Sequence, residues 1–514
     1  MLVFEWIVGV LMAAVLLAAL ARRLKAPFPA LLALGGVGLA FVPGVPELRL
    51  DPDLALALFL APVLLDAGFD TSLRDMRANW LPIAGLVIGA VGVTTAAVAL
   101  VLRWLLPDMP LAACIALGAI VAPPDAVAAL SVLRHVSLPH RLVTILKGES
   151  LFNDASAFII YRLAVAVAVS GGASVGDLLP GFLIGVAGSL VAGPVLAWLY
   201  ARLLRRVADA PSTIVLQFVS TFGVWLLAER VGLSGVLTVV TFGITLARLS
   251  ATMTPARLRV PSNAVWETAV FVLNVLAFVL IGSQIGPILD ELTAHEGEHA
   301  GFIAALVVLT TVLVRLAWVM GANGTARVAR RLGLLRGPEP ASLLAGTVVA
   351  WCGMRGVVTV ALALALPRDF PHRDLAVLTA FCIVLGTLVV QGLTLRPLLT
   401  WFSLRGDDVV GREAGLARAA AYRAALDSLA GDRSPHTAAL REEFEAALRE
   451  ADRDREGRAP SALPADAPRR RAIRAAREAI HGLRQRGAIG DDAYSHLEEE
   501  LDWAELSATP RDEI

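Results

Sequence analysis

The residues best suited to chemistry form one short polar run, GESLFNDA, inside an otherwise apolar stretch of the sequence. Ser150 and Asp154 are four residues apart and share one face of a helix, with Asn153 beside them. A single carboxylate together with hydroxyl and amide oxygens suits a hard monovalent cation that must bind and also leave. Because a low dielectric favours the neutral form of a carboxyl group, a proton and a cation can compete for this site.

A second polar position interrupts the apolar segment GAIVAPPDAVAAL at residues 118–130. Pro123 and Pro124 remove two backbone N–H donors and disfavour helix in the residues before them. A helix that breaks at membrane depth is tolerated only where it is buried in protein or lines a water-filled cavity. Transporters use such breaks to present main-chain carbonyls and helix ends to ions. Asp125, which follows the prolines directly, is therefore predicted to lie near the ion.

Charged side chains inside apolar segments are costly, so each one is a functional candidate. Besides Asp125 and Asp154, these positions are Asp66, Glu149, Arg162, Arg315 and Arg355, with Lys147 at the edge of a segment. Carboxylates and arginines gathered in an otherwise apolar setting indicate an ion pathway. For Glu149, Arg162 and Arg315, the alternative is a purely structural role, in which the charge pairs one helix with another.

The composition is that of a polytopic membrane protein. Hydrophobic residues make up 57% of the 514 residues and charged residues 18%, with a mean hydropathy of +0.69. A soluble chain of this size needs more polar surface to cover its core. Apolar runs recur up to residue 402 and predict an all-α fold of about thirteen transmembrane helices, each crossing about 30 Å of hydrocarbon. The predicted spans are residues 2–20, 27–43, 54–69, 80–106, 110–133, 143–169, 175–203, 213–230, 233–249, 264–288, 300–325, 341–366 and 374–402.

Basic residues concentrate in alternate loops and predict the orientation in the cell (inner) membrane. The loops between the other spans are nearly free of basic residues, and the loop DELTAHEGEHA at 290–300 is acidic. By the positive-inside rule the basic loops face the cytoplasm, which places the N-terminus outside and the C-terminus inside. The basic loop residues are Arg22, Arg23, Lys25, Arg74, Arg77, Arg134, Arg141, Arg202, Arg205, Arg206, Arg257, Arg259, Arg327, Arg330, Arg331 and Arg336.

The character of the chain changes near Arg405, which divides it into a transmembrane domain at 1–402 and a tail at 403–514. The tail is rich in Arg, Glu, Asp and Ala and predicts amphipathic helices. Two interpretations stay open, a solvated cytoplasmic helical tail and a regulatory or dimer-contacting domain. The zero net charge gives no indication of a nucleic-acid partner. The cysteines have no metal-ligand spacing, so neither a disulfide framework nor a metal centre is predicted.

The sequence resembles the NhaP-type bacterial sodium/proton exchangers of the electroneutral cation:proton antiporter family. GESLFNDA at 148–155 matches the family's signature closely, with Asn153 and Asp154 as its Asn-Asp pair. APPDAVA at 122–128 stands where many members have Thr-Asp-Pro. WCGMRGVVTVALALALP at 351–367 matches a late Gly-x-Arg-Gly span, and FVLNVLAFVLIGSQI at 271–285 is also similar. The resemblance covers the predicted transmembrane domain, residues 1–402.

The resemblance implies a fold of inverted repeats, with a core domain that carries the ion and an interface domain that forms a homodimer. It also implies that Asp154 is the carboxylate that exchanges a monovalent cation for a proton. Asn153 and Ser150 are expected to assist it, together with the Pro124–Asp125 region and Asp66 on the third span.

The same resemblance implies a buried ion pair between Glu149 and an arginine on a late span. Arg315 is the expected partner, and Arg355 is a further functional candidate. The sequence departs from the family pattern at three positions. Asp66 stands where Glu is usual and is one methylene shorter, Pro124 replaces a Thr and offers only its main-chain carbonyl, and Lys147 replaces a common acidic residue.

The predicted function is therefore an electroneutral, one-to-one exchange of a monovalent cation for a proton by alternating access, in the service of pH homeostasis. The cation is sodium, with potassium and lithium as alternatives, and no cofactor is expected. A cation channel would use the same ligands without alternating access. An intramembrane protease is disfavoured, because GESLF lacks the final Gly of a Gly-x-Ser-x-Gly nucleophile and Tyr-Asp and Gly-x-Gly-Asp motifs are missing.

Overall fold

The computed structural model describes residues 2–24, 27–42, 52–133, 138–170, 175–286, 294–333, 342–402, 407–431, 434–453, 466–486, 488 and 491–509. Within these residues every regular element is a helix, and the predicted all-α class is confirmed. The chain forms two compact units, Met1–Arg405 and Gly406–Ile514.

The helices of the first unit follow the apolar segments of the sequence. A helix or a pair of half-helices lies at each span predicted from hydropathy. Among the described residues, seven helices are both long and apolar enough to cross a membrane, and shorter apolar helices accompany them. The helices are α1 (Leu2–Leu24), α2 (Phe28–Ala40), α3 (52–69), α4 (Leu73–Ala78), α5 (Trp80–Leu105), α6 (Leu111–Val121), α7 (Ala126–Leu133), α8 (His140–Val169), α9 (Val175–Leu204), α10 (Ala210–Arg230), α11 (Gly235–Met253), α12 (Ala256–Ser283), α13 (Ala294–Arg331), α14 (Leu343–Trp351), α15 (Val357–Leu364) and α16 (Arg373–Phe402).

Two spans in the described part of the chain are broken into half-helices. The first break separates α6 from α7 at residues 122–125, where the two prolines predicted it. The second break separates α14 from α15 at residues 352–356, inside the predicted span 341–366, for which the sequence analysis identifies no break. No proline marks this second break. Gly356 ends it in an extended conformation, with φ −140° and ψ −150°.

The order of helix, broken helix and helix occurs twice, in α5–α8 and again in α13–α16. Corresponding members of the two repeats are offset by seven spans along the chain, which is an odd number, so the two repeats run through the membrane in opposite directions. Inverted repeats with broken helices are a recurrent architecture of secondary transporters.

Helix packing divides the first unit into two bundles. In the core bundle, α5–α8 and α13–α16 pack on one another. In the outer bundle, α1–α3 and α9–α12 do the same, with α2 against α12 and α3 against α11. The bundles meet where α16 contacts α2, where α15 contacts α3 and where α8 contacts α9.

A π-helical segment, Gly85–Ala90, lies within α5 of the core bundle. π-Helical turns leave main-chain carbonyls open to other donors. Trp318 on α13 donates from Nε1 to the carbonyl of Gly85 at 3.0 Å, and Ser156 on α8 donates from Oγ to that of Val87 at 2.9 Å. These side chains fasten α5 to both of its neighbours.

The second unit contains four described helices, α17 (Val409–Ser428), α18 (Pro435–Arg453), α19 (Asp466–Gln485) and α20 (Asp491–Ser507). They pack as two pairs, α17 with α18 and α19 with α20. Arg477 on α19 bonds Asp502 at 2.7 Å and Glu505 at 2.6 Å, both on α20.

Candidate functional site

Asp154 lies in the middle of α8 and is 8% exposed. It lines a cavity of about 920 Å³ between the two bundles. Ser150, one turn earlier on α8, and Pro124 and Asp125 from the first break line the same cavity. Asp66 lines it from α3 in the outer bundle. The structure therefore brings these five predicted site residues to one cavity.

Asn153 faces away from that cavity and fastens the first break to α8. Its Nδ2 donates to the carbonyl oxygen of Pro124 at 2.9 Å. The side chain is completely buried, and its Oδ1 has no hydrogen-bond partner among the described residues. Asn153 thus holds the Pro124 carbonyl of the first break close to the part of α8 that carries Asp154.

Asp125 lies where the two breaks cross. Its main-chain N–H donates to the carbonyl oxygen of Met354 at 2.7 Å, which joins the first break to the second. Asp125 directly precedes α7, and its carboxylate contacts Gly356, which directly precedes α15. A Cβ at Gly356 would overlap this carboxylate. The negative charge therefore sits at the N-terminal ends of two half-helices, which the helix dipole favours.

Arg355 provides the opposite charge at the same crossing and is fully buried. Its Nε donates to the carbonyl of Val121 at 2.9 Å and its Nη2 to that of Ala122 at 3.1 Å. Its Nη1 bonds the carbonyl of Gly353. These carbonyls end α6 or follow α14, so the guanidinium compensates the negative ends of two half-helices. Its main-chain N–H donates to Thr387 Oγ1 at 2.9 Å.

Glu149 and Arg315 form a buried ion pair, and each side chain is 2% exposed. Nη2 of Arg315 lies 2.9 Å from Oε2 of Glu149, and Nη1 bonds Oε1. Arg315 also donates to the carbonyls of Ala350 and Val349 at 3.1 Å. The two residues do not belong to the described lining of the cavity. The pair joins α8, α13 and the end of α14.

Asp66 has a partner that sequence reasoning missed. Trp266 on α12 donates from Nε1 to Oδ1 of Asp66 at 2.9 Å. The Trp266 ring packs against Phe218 with centroids 5.3 Å apart. Both Asp66 and Trp266 belong to the outer bundle. No local pattern reveals this contact, because the two residues are 200 positions apart.

A further ion pair, unlike that of Glu149 and Arg315, joins the core bundle to the outer bundle and lies outside the cavity lining. Arg162 on α8 bonds Oε2 of Glu229 at the end of α10. Oε1 of Glu229 accepts from the main-chain N–H of Gly235 at 3.0 Å, and the Arg162 guanidinium lies 4.7 Å from the Phe158 ring centroid. Sequence analysis identified Arg162 but not Glu229, which lies close to the end of a span.

The described residues contain no group of three or more His, Cys, Asp or Glu side chains that could hold a metal ion. Cys114, Cys352 and Cys382 are free thiols. The expectation that the chain has no cofactor stays a prediction.

Two broken helices that cross beside a buried carboxylate, with charged residues at the half-helix ends, define a secondary transporter of the inverted-repeat class. The profile of the family described as "Sodium/hydrogen exchanger, transmembrane" matches residues 10–401. The chain belongs to this sodium/hydrogen exchanger family.

Named relatives agree with this family. An uncharacterised Na⁺/H⁺ exchanger of Mycobacterium tuberculosis is 32% identical over 82% of this chain and 79% of its own length. The low-affinity Na⁺/H⁺ antiporter NhaS1 of Synechocystis is 33% identical over 75% of this chain and 71% of its own length. A sodium, potassium, lithium and rubidium/H⁺ antiporter of Bacillus subtilis is 31% identical over 72% of this chain and 57% of its own.

Among solved structures, the sodium proton antiporter MjNhaP1 from Methanocaldococcus jannaschii has the same fold. The TM-score is 0.61 at 20% identity, over 78% of this chain and 99% of that chain. The resemblance to NhaP-type exchangers and the prediction of cation/proton exchange by a transporter, in place of an enzyme, are confirmed. Nothing in these comparisons favours a channel or a protease.

Proposed function

We propose that the chain exchanges one monovalent cation for one proton and that Asp154 is the carboxylate that binds each in turn. The observation that carries this proposal is the position of Asp154, which is 8% exposed and lines the cavity beside the first break. A nearly buried carboxylate at a water-accessible wall can release a proton to the cavity and accept a cation from it.

The proposed ligands of the cation are oxygens around Asp154. Ser150 contributes a hydroxyl one turn away, and the Pro124–Asp125 segment contributes main-chain or carboxylate oxygen from the break. Asp66 faces the cavity from the outer bundle while Trp266 holds one of its oxygens. Asn153 positions the break through the Pro124 carbonyl and does not need to contact the ion. Sodium is the proposed cation, with potassium and lithium as further candidates.

The proposed one-to-one stoichiometry follows from the charges at the site. Asn153 is neutral, so Asp154 is the one ionisable group of the Asn-Asp pair. A bound cation and a bound proton each cancel one negative charge on Asp154. Asp125, placed at two positive half-helix ends, keeps one charge state throughout the cycle. The loaded site then carries the same charge in both directions, and exchange is electroneutral.

Alternating access is proposed as movement of the core bundle against the outer bundle. The cavity lies between the two bundles and is lined by Lys147 near the start of α8, Leu204 at the end of α9 and Arg259 near the start of α12. These helix ends adjoin the basic loops, so the cavity opens to the cytoplasm under the positive-inside rule. The N-terminus then lies outside and the tail inside the cell (inner) membrane. The outer bundle is the proposed contact of a homodimer.

Cation-driven proton movement in everted membrane vesicles tests this function. Sodium added to acidified vesicles should restore the fluorescence of a pH-sensitive dye in wild type, and Asp154→Asn should not respond. A channel would dissipate the pH gradient only as far as the membrane potential permits. Wild-type vesicles that show no cation-dependent recovery with sodium, potassium or lithium would contradict the proposal.

A further inference from the structure

Lys147 is an exposed basic side chain on the face of α8 that also carries Ser150 and Asp154. Residues 147, 150 and 154 follow one another at helical spacing, so their side chains lie along one stripe. All three line the same cavity. Lys147 and Asp154 are seven positions apart in α8, which corresponds to about 10 Å along the helix axis.

Charged groups of the outer bundle face Lys147 across this cavity. Asp66, Asp70 and Glu267 are acidic and Arg259 is basic, and all four line the cavity. The positive charge of Lys147 attracts the carboxylate of Asp66, whereas the negative charges of Asp70 and Glu267 repel it. The ammonium group thus lies on the same cavity wall as Asp154 and faces three acidic groups and one basic group of the outer bundle.

We propose that Lys147 is an affinity-determining residue, a tethered monovalent cation that weakens binding of the transported cation at Asp154. This inference rests on the proposed function of Asp154. A unit charge at about 10 Å changes a binding constant about 2- to 15-fold, depending on how far the water in the cavity screens it. Lys147 gives the exchanger a low cation affinity while the ligands at Asp154 stay unchanged.

The charge of Lys147 has a pH signature that a structural role lacks. It opposes a bound proton at Asp154 as much as it opposes a bound cation. At alkaline pH protons do not compete with the cation. Removal of the Lys147 charge then lowers the half-saturating cation concentration by the whole factor of about 2- to 15-fold. When protons compete strongly, at acidic pH, proton and cation binding strengthen together and the two effects cancel.

The experiment compares Lys147→Gln, Lys147→Arg and wild type in vesicles, with half-saturation by sodium measured at alkaline and at acidic pH. Lys147→Gln is expected to lower the half-saturating sodium concentration about 2- to 15-fold at alkaline pH and to approach wild type at acidic pH. Lys147→Arg retains the charge and the wild-type value. Arg202→Gln removes an exposed charge that is not in the cavity lining and is the matched control.

Screening of the Lys147 charge by added salt provides an independent test. The Debye length is about 10 Å at 0.1 M salt. Added choline chloride should therefore reduce the difference in half-saturating sodium concentration between Lys147→Gln and wild type. An unchanged sodium requirement in Lys147→Gln, an equal shift in Lys147→Arg, or a shift of the same size at both pH values would overturn the proposal. Sodium-dependent thermal stabilisation of the purified proteins is measured alongside. This stabilisation reports sodium binding without transport, so it tests the effect of Lys147 on cation affinity separately. Failure of wild-type exchange would contradict the proposed function itself.

Discussion

The side-chain amide of Asn153 donates a hydrogen bond to the main-chain carbonyl of Pro124 at 2.9 Å, which ties the middle of α8 to the first helix break. This contact connects the two segments that carry the predicted chemistry, because Asp154 follows Asn153 and Asp125 follows Pro124. The relative position of the two carboxylates therefore depends on a neutral amide.

Asn153→Ala is expected to lower the free energy of unfolding by about 1–3 kcal/mol, since it leaves a buried carbonyl without its donor. It should also weaken sodium binding, because the break is no longer held beside Asp154. Thermal unfolding of the purified protein with and without sodium measures both effects. Ser156→Ala removes a different side-chain hydrogen bond of α8, from the Ser156 hydroxyl to the Val87 carbonyl away from the break, and should leave sodium stabilisation intact. Equal sodium stabilisation in Asn153→Ala and wild type contradicts the positioning role.

Glu149→Gln and Arg315→Gln should each destabilise the protein by about 3–5 kcal/mol, because either change strands a buried charge. The half-saturating sodium concentration of the surviving protein should change little, since the pair lies outside the cavity lining. Arg162→Gln disrupts a partly exposed ion pair and is a matched control expected to cost about 0–1 kcal/mol. Thermal unfolding measures all of these variants. A double variant that folds no better than either single variant argues against direct energetic coupling between Glu149 and Arg315.

Gly356→Ala should abolish exchange, because its Cβ would overlap the Asp125 carboxylate and force the two breaks apart. The dye-recovery assay and the membrane expression level are compared with those of Gly92→Ala. Gly92 lies in α5 and has open space around an added Cβ. An active Gly356→Ala protein would show that the close approach of the breaks is dispensable.

Arg162 on α8 and Glu229 on α10 belong to different bundles, so we expect the proposed movement of the core bundle to separate them. Glu229→Gln should reduce the population of the state with the cavity open by up to about 5-fold, the size of an exposed ion pair. The labelling rate of a Gln217→Cys reporter on the cavity wall, with a membrane-impermeant maleimide, reports this population. The exchanged pair Arg162→Glu with Glu229→Arg should restore the rate. Labelling that is unaffected by Glu229→Gln contradicts a link between the pair and the movement.

Local sequence predicts those parts of the fold that depend on local physics. Hydropathy predicts the spans, and Pro123 and Pro124 predict the first break because proline removes main-chain donors. The second break contains no proline, and the sequence analysis identifies no break there. It depends on long-range contacts, since Arg355 bonds the carbonyls of Val121 and Ala122, more than 200 residues away.

The candidate site also contains residues that local sequence predicts and contacts that depend on tertiary packing. Ser150 and Asp154 are placed on one face of α8 by helical periodicity and could be grouped from sequence alone. Asn153 faces the first break and not the cavity, which the sequence did not indicate. The contact between Asp66 and Trp266 depends on tertiary packing of α3 against α12, and sequence spacing carries no signal for it. The role of Lys147 likewise emerges only when the cavity places it opposite the acidic groups of the outer bundle.

The charge carried per cycle tests the central claim most directly, because that claim assigns both substrates to one carboxylate. Wild-type protein in proteoliposomes is given a fixed sodium gradient, and valinomycin with potassium sets the membrane potential. If cation and proton alternate on Asp154 alone, the final pH difference is the same at every imposed potential, and Asp154→Asn shows no sodium-dependent pH change. A final pH difference that shifts with potential shows that a second proton moves, and an Asp154→Asn protein that still exchanges removes the central residue.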